Sequence, residues 1–215
     1  MSGSRLTLLP NVITVARILA CPAIFALALA PGLGARFGAF VLFVVAGLSD
    51  VWDGWLARRY DLITDMGKLL DPIADKLLLA STLIPFYLIS HRPSPLEEVP
   101  VWGPLPLWVL LVIFGREIFM TLFRAYAVRR GVVIAAGKSG KHKTLLQSLF
   151  IGGLLFWYPV VHLADARGWS GTLWSTTSIF IESWCAVTLA AAIVLTIYSM
   201  LDYLWSYRSL VGIRD

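Results

Sequence analysis

Residues 37–57 read Phe37-Gly-Ala-Phe-Val-Leu-Phe-Val-Val-Ala-Gly-Leu-Ser-Asp50-Val-Trp-Asp53-Gly-Trp-Leu-Ala57. As a helix this run crosses a hydrocarbon layer of roughly 30 Å. It also ends on two carboxylates that such a layer should exclude. Five more apolar runs flank it, at about 12–30, 69–90, 105–128, 145–164 and 179–204. The breaks between them carry turn chemistry, as in Pro31-Gly-Leu-Gly34 and the proline-rich stretch from Pro93 to Pro106. Lipid admits only helices and closed barrels, and these runs are too long and continuous for barrel strands. The sequence therefore predicts an all-α integral membrane protein with six transmembrane helices.

Composition agrees. The chain of 215 residues is 58% hydrophobic and 14% charged, with a mean hydropathy of +0.77. A soluble domain carries about 25% charge, so a single water-facing core is excluded. Cys21 and Cys185 lie inside apolar runs and read as small hydrophobes rather than a disulfide. Met1 to Pro10 has no cleavable signal pattern, and no internal repeat divides the chain, so residues 1–215 are expected to form one domain.

Basic residues set the orientation. With the N-terminus in the cytoplasm, the outer loops hold Arg36, Arg92 and Arg167, and the remaining 15 of 18 basic residues fall on the inner side. That asymmetry predicts both termini in the cytoplasm of a multi-pass protein. The brevity of the N-terminus favours a cell inner membrane over an organelle membrane. The net charge of +5 then belongs to topology and anionic lipid, not to nucleic acid.

Six of the 13 acidic residues fall between Asp50 and Asp75. Asp50 and Asp53 lie one turn apart on a helix face, and Asp71 and Asp75 form an i, i+4 pair on the next helix. A short polar connection joins the two helices, which predicts antiparallel neighbours whose carboxylates converge near the inner surface. Four such groups repel unless cations or protons neutralise them. Oxygen-only ligands suit hard ions such as Mg²⁺, Mn²⁺ or Ca²⁺, which clamp a diphosphate well. The alternative is ordinary ion pairing with Arg58, Arg59, Lys68 or Lys76, the expected role of Asp61 and Asp65 in the connection.

Asp50-Val-Trp-Asp53-Gly54-Trp-Leu-Ala57-Arg58, followed at fixed spacing by Gly67, Asp71 and Asp75, resembles the signature of the CDP-alcohol phosphotransferases. Every fixed position of that pattern is filled. The resemblance implies a six-span fold, usually a homodimer, and a site for two ions of Mg²⁺ or Mn²⁺. It implies Asp50, Asp53, Asp71 and Asp75 as metal ligands, with Asp75 also the general base. Gly54, Ala57, Arg58 and Gly67 would border the CDP group. Glycine and alanine leave room for a nucleobase, and close helix packing is the alternative for Gly54 and Ala57.

Four stretches resemble bacterial phosphatidylglycerophosphate synthases. They are Leu9-Pro10-Asn11-Val-Ile-Thr14-Val-Ala-Arg17, Gly67-Lys68-Leu-Leu-Asp71-Pro72-Ile-Ala-Asp75-Lys76, Arg116-Glu117 with Arg124, and Gly140-Lys141-His-Lys143-Thr144. This implies CDP-diacylglycerol as donor and glycerol 3-phosphate as acceptor, in a membrane-lipid setting. Asn11 and Thr14 either face the nucleotide or cap the first helix. Arg116, Arg124, Lys138 and Lys141 are candidates for the acceptor phosphate, since a phosphate-bearing alcohol needs cations to recognise it. Arg116 and Glu117, inside an apolar run, could instead pair with neighbouring helices. One position departs from the synthases: Ala125 follows Arg124 where an acidic residue is usual. The same reaction on inositol phosphate or phosphatidylglycerol, or a divalent-cation transporter, would also use these aspartates.

Overall fold

The computed structural model describes the backbone of residues 3–60, 64–132 and 138–208, and their side chains except 3–10, 57–58, 65, 68 and 138–141. Among these residues six α-helices run in order: α1 Gly3–Leu29, α2 Leu33–Arg59, α3 Asp65–Ser90, α4 Leu107–Arg129, α5 Lys138–Ala166 and α6 Thr172–Ser206. All but α4 meet the length and apolarity needed to cross a membrane. Long enough at 23 residues, α4 differs in carrying Arg116, Glu117 and Arg124 along one helix.

The predicted runs match the helices, which mostly extend beyond them. The extra turns are polar ends that hydropathy does not mark. Gly32, extended at φ −78° and ψ 135°, starts α2 directly after Pro31. Gly168 and Gly171 adopt positive φ in the tight turn before α6, where a side chain would be strained.

Packing is uneven along the bundle. α1 lies against both α2 and α3, α5 packs on α6 and α2, and α4 on α6. The main core gathers Phe43, Phe86, Ile113, Phe150, Leu154 and Leu189. These residues sit toward the end where α2 begins and α3 finishes. Gly153 lets α5 approach α6: a Cβ there would lie 3.0 Å from the Trp184 ring. At the same end Glu97, from the α3–α4 connection, takes Arg36 Nη2 at 2.5 Å and Arg92 Nη1 at 3.4 Å. That knot ties the connection to the α1–α2 corner. Outside, Leu19, Val45, Leu111, Ile179, Phe180 and Val194 stand exposed, a surface suited to lipid rather than water.

The expected direct neighbours α2 and α3 hardly touch among the described residues. α1 fills the space between them. A short connection fixes only that two helices run antiparallel, and the third helix supplies more surface for each to bury.

Candidate active site

α2 brings Asp50 and Asp53 into its last turns, and α3 brings Asp71 and Asp75 into its first ones. Between them α1 presents Thr14 and Arg17. Arg17 Nη1 lies 2.5 Å from Asp50 Oδ1 and 4.0 Å from Asp75 Oδ1, while Nη2 lies 2.6 Å from Asp53 Oδ2. Thr14 Oγ1 donates to Asp71 Oδ1 at 3.1 Å. One turn of α1 thus touches or approaches all four carboxylates.

The surroundings differ sharply within this group. The Arg17 side chain is fully enclosed and Asp53 nearly so, whereas Asp50 is 48% and Asp75 64% exposed. Asp71 is exposed as well. An enclosed guanidinium needs a buried partner to offset its lost hydration, and Asp53 supplies it. The exposed carboxylates leave oxygens facing outward, where a polar ligand can reach them. Among the described residues, no three acidic, His or Cys side chains already close on one point as metal ligands. Arg17 stands among them instead. The donor set itself fits hard divalent ions: carboxylate oxygens with no sulfur or imidazole.

The start of α3 is a second polar knot. Thr64 is its N-cap, accepting the Gly67 N–H at 3.0 Å and donating its hydroxyl to Asn11 Oδ1 at 2.7 Å. A Cβ on Gly67 would stand 3.1 Å from Asn11 Oδ1 and 3.2 Å from Thr64 Oγ1. Gly67 therefore has a packing reason beside any nucleotide. The cap of this knot fixes the helix that carries Asp71 and Asp75. Asn11 and Thr14 lie inside α1, which begins at Gly3, so the alternative that they cap the first helix is corrected.

The basic candidates separate. Arg116 is buried, its Nη1 3.2 Å from Glu117 Oε1 and its Nη2 3.3 Å from Ser199 Oγ on α6. Lys143 of α5 also pairs with Glu117. These ions join α4, α5 and α6, the structural alternative raised for Arg116 and Glu117. Arg124 is exposed and lies over the Tyr203 ring at 5.9 Å. Lys76, one residue after Asp75, is in electrostatic reach of both Glu117 and Lys143. It donates to the Pro72 carbonyl at 3.3 Å. The side chains of Ala57, Arg58, Lys138 and Lys141 lie outside the described residues, as do Asp61 and the side chain of Asp65.

A family model described as CDP-alcohol phosphatidyltransferase matches residues 7–198. The chain belongs to this family. Among similar CDP-alcohol phosphatidyltransferases is a probable phosphatidylglycerophosphate synthase of Mycobacterium tuberculosis. It is 36% identical over 217 residues, covering 99% of this chain and 88% of the relative. The CDP-diacylglycerol–glycerol-3-phosphate 3-phosphatidyltransferase of Bacillus subtilis is 35% identical, over 68% of this chain and 76% of its own length. The enzyme of the same name from Rickettsia bellii is 36% identical, over 65% and 70%.

For a CDP-alcohol phosphatidyltransferase, sequence reasoning missed Arg17 as a member of the acidic site and Thr64 as its brace. Arg17 had a signal, a lone cation in an apolar run, for which the nearest explanation is a carboxylate partner. Thr64 had none that hydropathy could expose.

Proposed function

We propose that this chain transfers a phosphatidyl group from CDP-diacylglycerol to glycerol 3-phosphate, releasing CMP and forming phosphatidylglycerophosphate. The convergence of Asp50, Asp53, Asp71 and Asp75 on one turn of α1 carries this reading. The names of the relatives support the donor and the acceptor.

Asp50, Asp53, Asp71 and Asp75 would hold two ions of Mg²⁺ or Mn²⁺, which supply positive charge to the diphosphate oxygens and ease departure of CMP. Asp75, the most exposed of the three carboxylates near Arg17, takes the proton of the acceptor hydroxyl. That oxygen forms the new bond to the phosphorus next to the lipid as the bond to CMP breaks. Gly54, Ala57 and Arg58 border the CDP group by resemblance to the family signature, with Asn11, Thr14 and Gly67 at its edge. Arg124, Lys138 and Lys141 receive the acceptor phosphate. Arg116 organises that side through Glu117 and Ser199.

α4 is the sixth span in this account, because Arg116 turns into the bundle and pairs there. Both termini and the aspartates face the cytoplasm, as the distribution of basic residues implies, and the membrane is the cell inner membrane. The chain acts as one domain and as a homodimer, the usual assembly of the family it resembles.

The test is CMP release by the purified protein in vesicles holding CDP-diacylglycerol and Mg²⁺, with a panel of acceptors. Glycerol 3-phosphate should be preferred over inositol phosphate and phosphatidylglycerol. Preference for either of the latter reassigns the acceptor. Divalent-cation flux with no CMP release points to a transporter.

A further inference from the structure

Arg17 stands where a metal cation would be expected. One guanidinium reaches three carboxylates from two helices, at 2.5 Å to Asp50, 2.6 Å to Asp53 and 4.0 Å to Asp75. A residue that merely orients a metal ligand sits behind it and holds it from outside. Arg17 lies between the ligands instead, with no exposed side-chain surface. Its Nε finds no hydrogen-bond partner among the described residues. A planar fork of donors fits carboxylates well, so these oxygens are held by a cation already.

We propose that Arg17 is the built-in counterion of the metal-free site, a positioning residue that gathers Asp50 and Asp53 and yields them to divalent ions. The inference rests on the assignment of the aspartates as metal ligands. It goes further by making Arg17 a competitor for their oxygens. Without Arg17, four carboxylates from the two helices that flank α1 repel, and the ends of α2 and α3 that carry them are pushed apart. With it, they remain assembled but bind metal less tightly than bare carboxylates would. The diphosphate of the arriving donor offers the displaced guanidinium new acceptors. Metal and donor binding are thereby coupled: each favours the state in which Arg17 has left Asp50 and Asp53.

The test is Mn²⁺ binding without substrate, read from the electron paramagnetic resonance of free Mn²⁺. Wild-type protein, Arg17→Gln and Arg17→Lys are compared in lipid nanodiscs. The Kd of Arg17→Gln should fall at least about tenfold below wild type, because a unit charge at contact distance is removed from the site. Arg17→Lys should fall between. The metal-free melting temperature of Arg17→Gln should lie below wild type, and saturating Mn²⁺ should close most of the gap. A Kd equal to or weaker than wild type overturns the proposal and makes Arg17 an outer support, whose loss costs about 10–100-fold in affinity. If Arg17→Gln folds only with Mn²⁺ present, that dependence supports the proposal, and the Kd of Arg17→Lys decides it: tighter than wild type sustains it, equal or weaker ends it. Absence of Mn²⁺ binding by the wild type would instead refute the assignment of the aspartates as ligands.

Discussion

Arg17 Nη2 and Asp53 Oδ2 meet at 2.6 Å, joining α1 to α2 where both side chains are almost wholly withdrawn from solvent. Removing one partner leaves the other charge buried and alone. Asp53→Ala should lower metal-free stability by about 3–5 kcal/mol, the usual cost of breaking a buried pair. Chemical unfolding in detergent micelles checks this. A loss below 1 kcal/mol would mean that water reaches Arg17 freely.

Glu97 offers the matching control at the opposite end. It pairs with Arg36 and Arg92, away from the aspartates. Glu97→Ala should cost a similar few kcal/mol. Mn²⁺ affinity, measured on the folded fraction, should stay unchanged. A shift in that affinity would show the two ends to be coupled.

Asp75 is the general base of the proposed reaction and contributes little to packing at 64% exposure. For Asp75→Asn, CMP release should fall by a factor of about 100 or more. Binding of CDP-diacylglycerol, followed by isothermal calorimetry, should change only a few-fold. Turnover near the wild-type rate would assign the base elsewhere.

A methyl group on Gly67 would crowd the Asn11 and Thr64 side-chain oxygens, at 3.1 and 3.2 Å, and they must give way to admit it. Gly67→Ala should displace the Thr64 cap and cost about 1–2 kcal/mol, the scale of a lost N-cap. Thr64→Ala should reproduce that loss, and combining the two should cost less than the sum because they share one knot. Full additivity in thermal melts would separate Gly67 from the cap.

Arg124 is the described basic candidate that remains exposed. Arg124→Ala should raise the KM for glycerol 3-phosphate about tenfold or more, with kcat for CMP release little altered. An unchanged KM would leave Arg124 as a partner of Tyr203 alone.

Much of this architecture was legible in advance, for a physical reason. Apolar length announces a span, and an aspartate in such a run demands a partner, so residues 37–57 and 69–90 exposed both helices and their carboxylates. Helix neighbourhood was not legible in the same way. Local spacing says nothing about α1 entering between α2 and α3, because that choice depends on buried surface summed over all helices. Arg17 was passed over for the same reason: its meaning lies in residues 33 and 36 positions away. The buried pairing of Arg116 likewise depends on Ser199 of α6 and, through Glu117, on Lys143 of α5.

In the proposed reaction four aspartates hold divalent ions against a diphosphate. Incorporation of radiolabelled glycerol 3-phosphate into lipid, by purified protein with CDP-diacylglycerol, tests it most directly when run with Mg²⁺ or Mn²⁺ and again with chelator. Label should enter lipid only with the divalent ion, and not at all for Asp50→Ala under either condition. Equal incorporation in chelator, or a fully active Asp50→Ala, would contradict it.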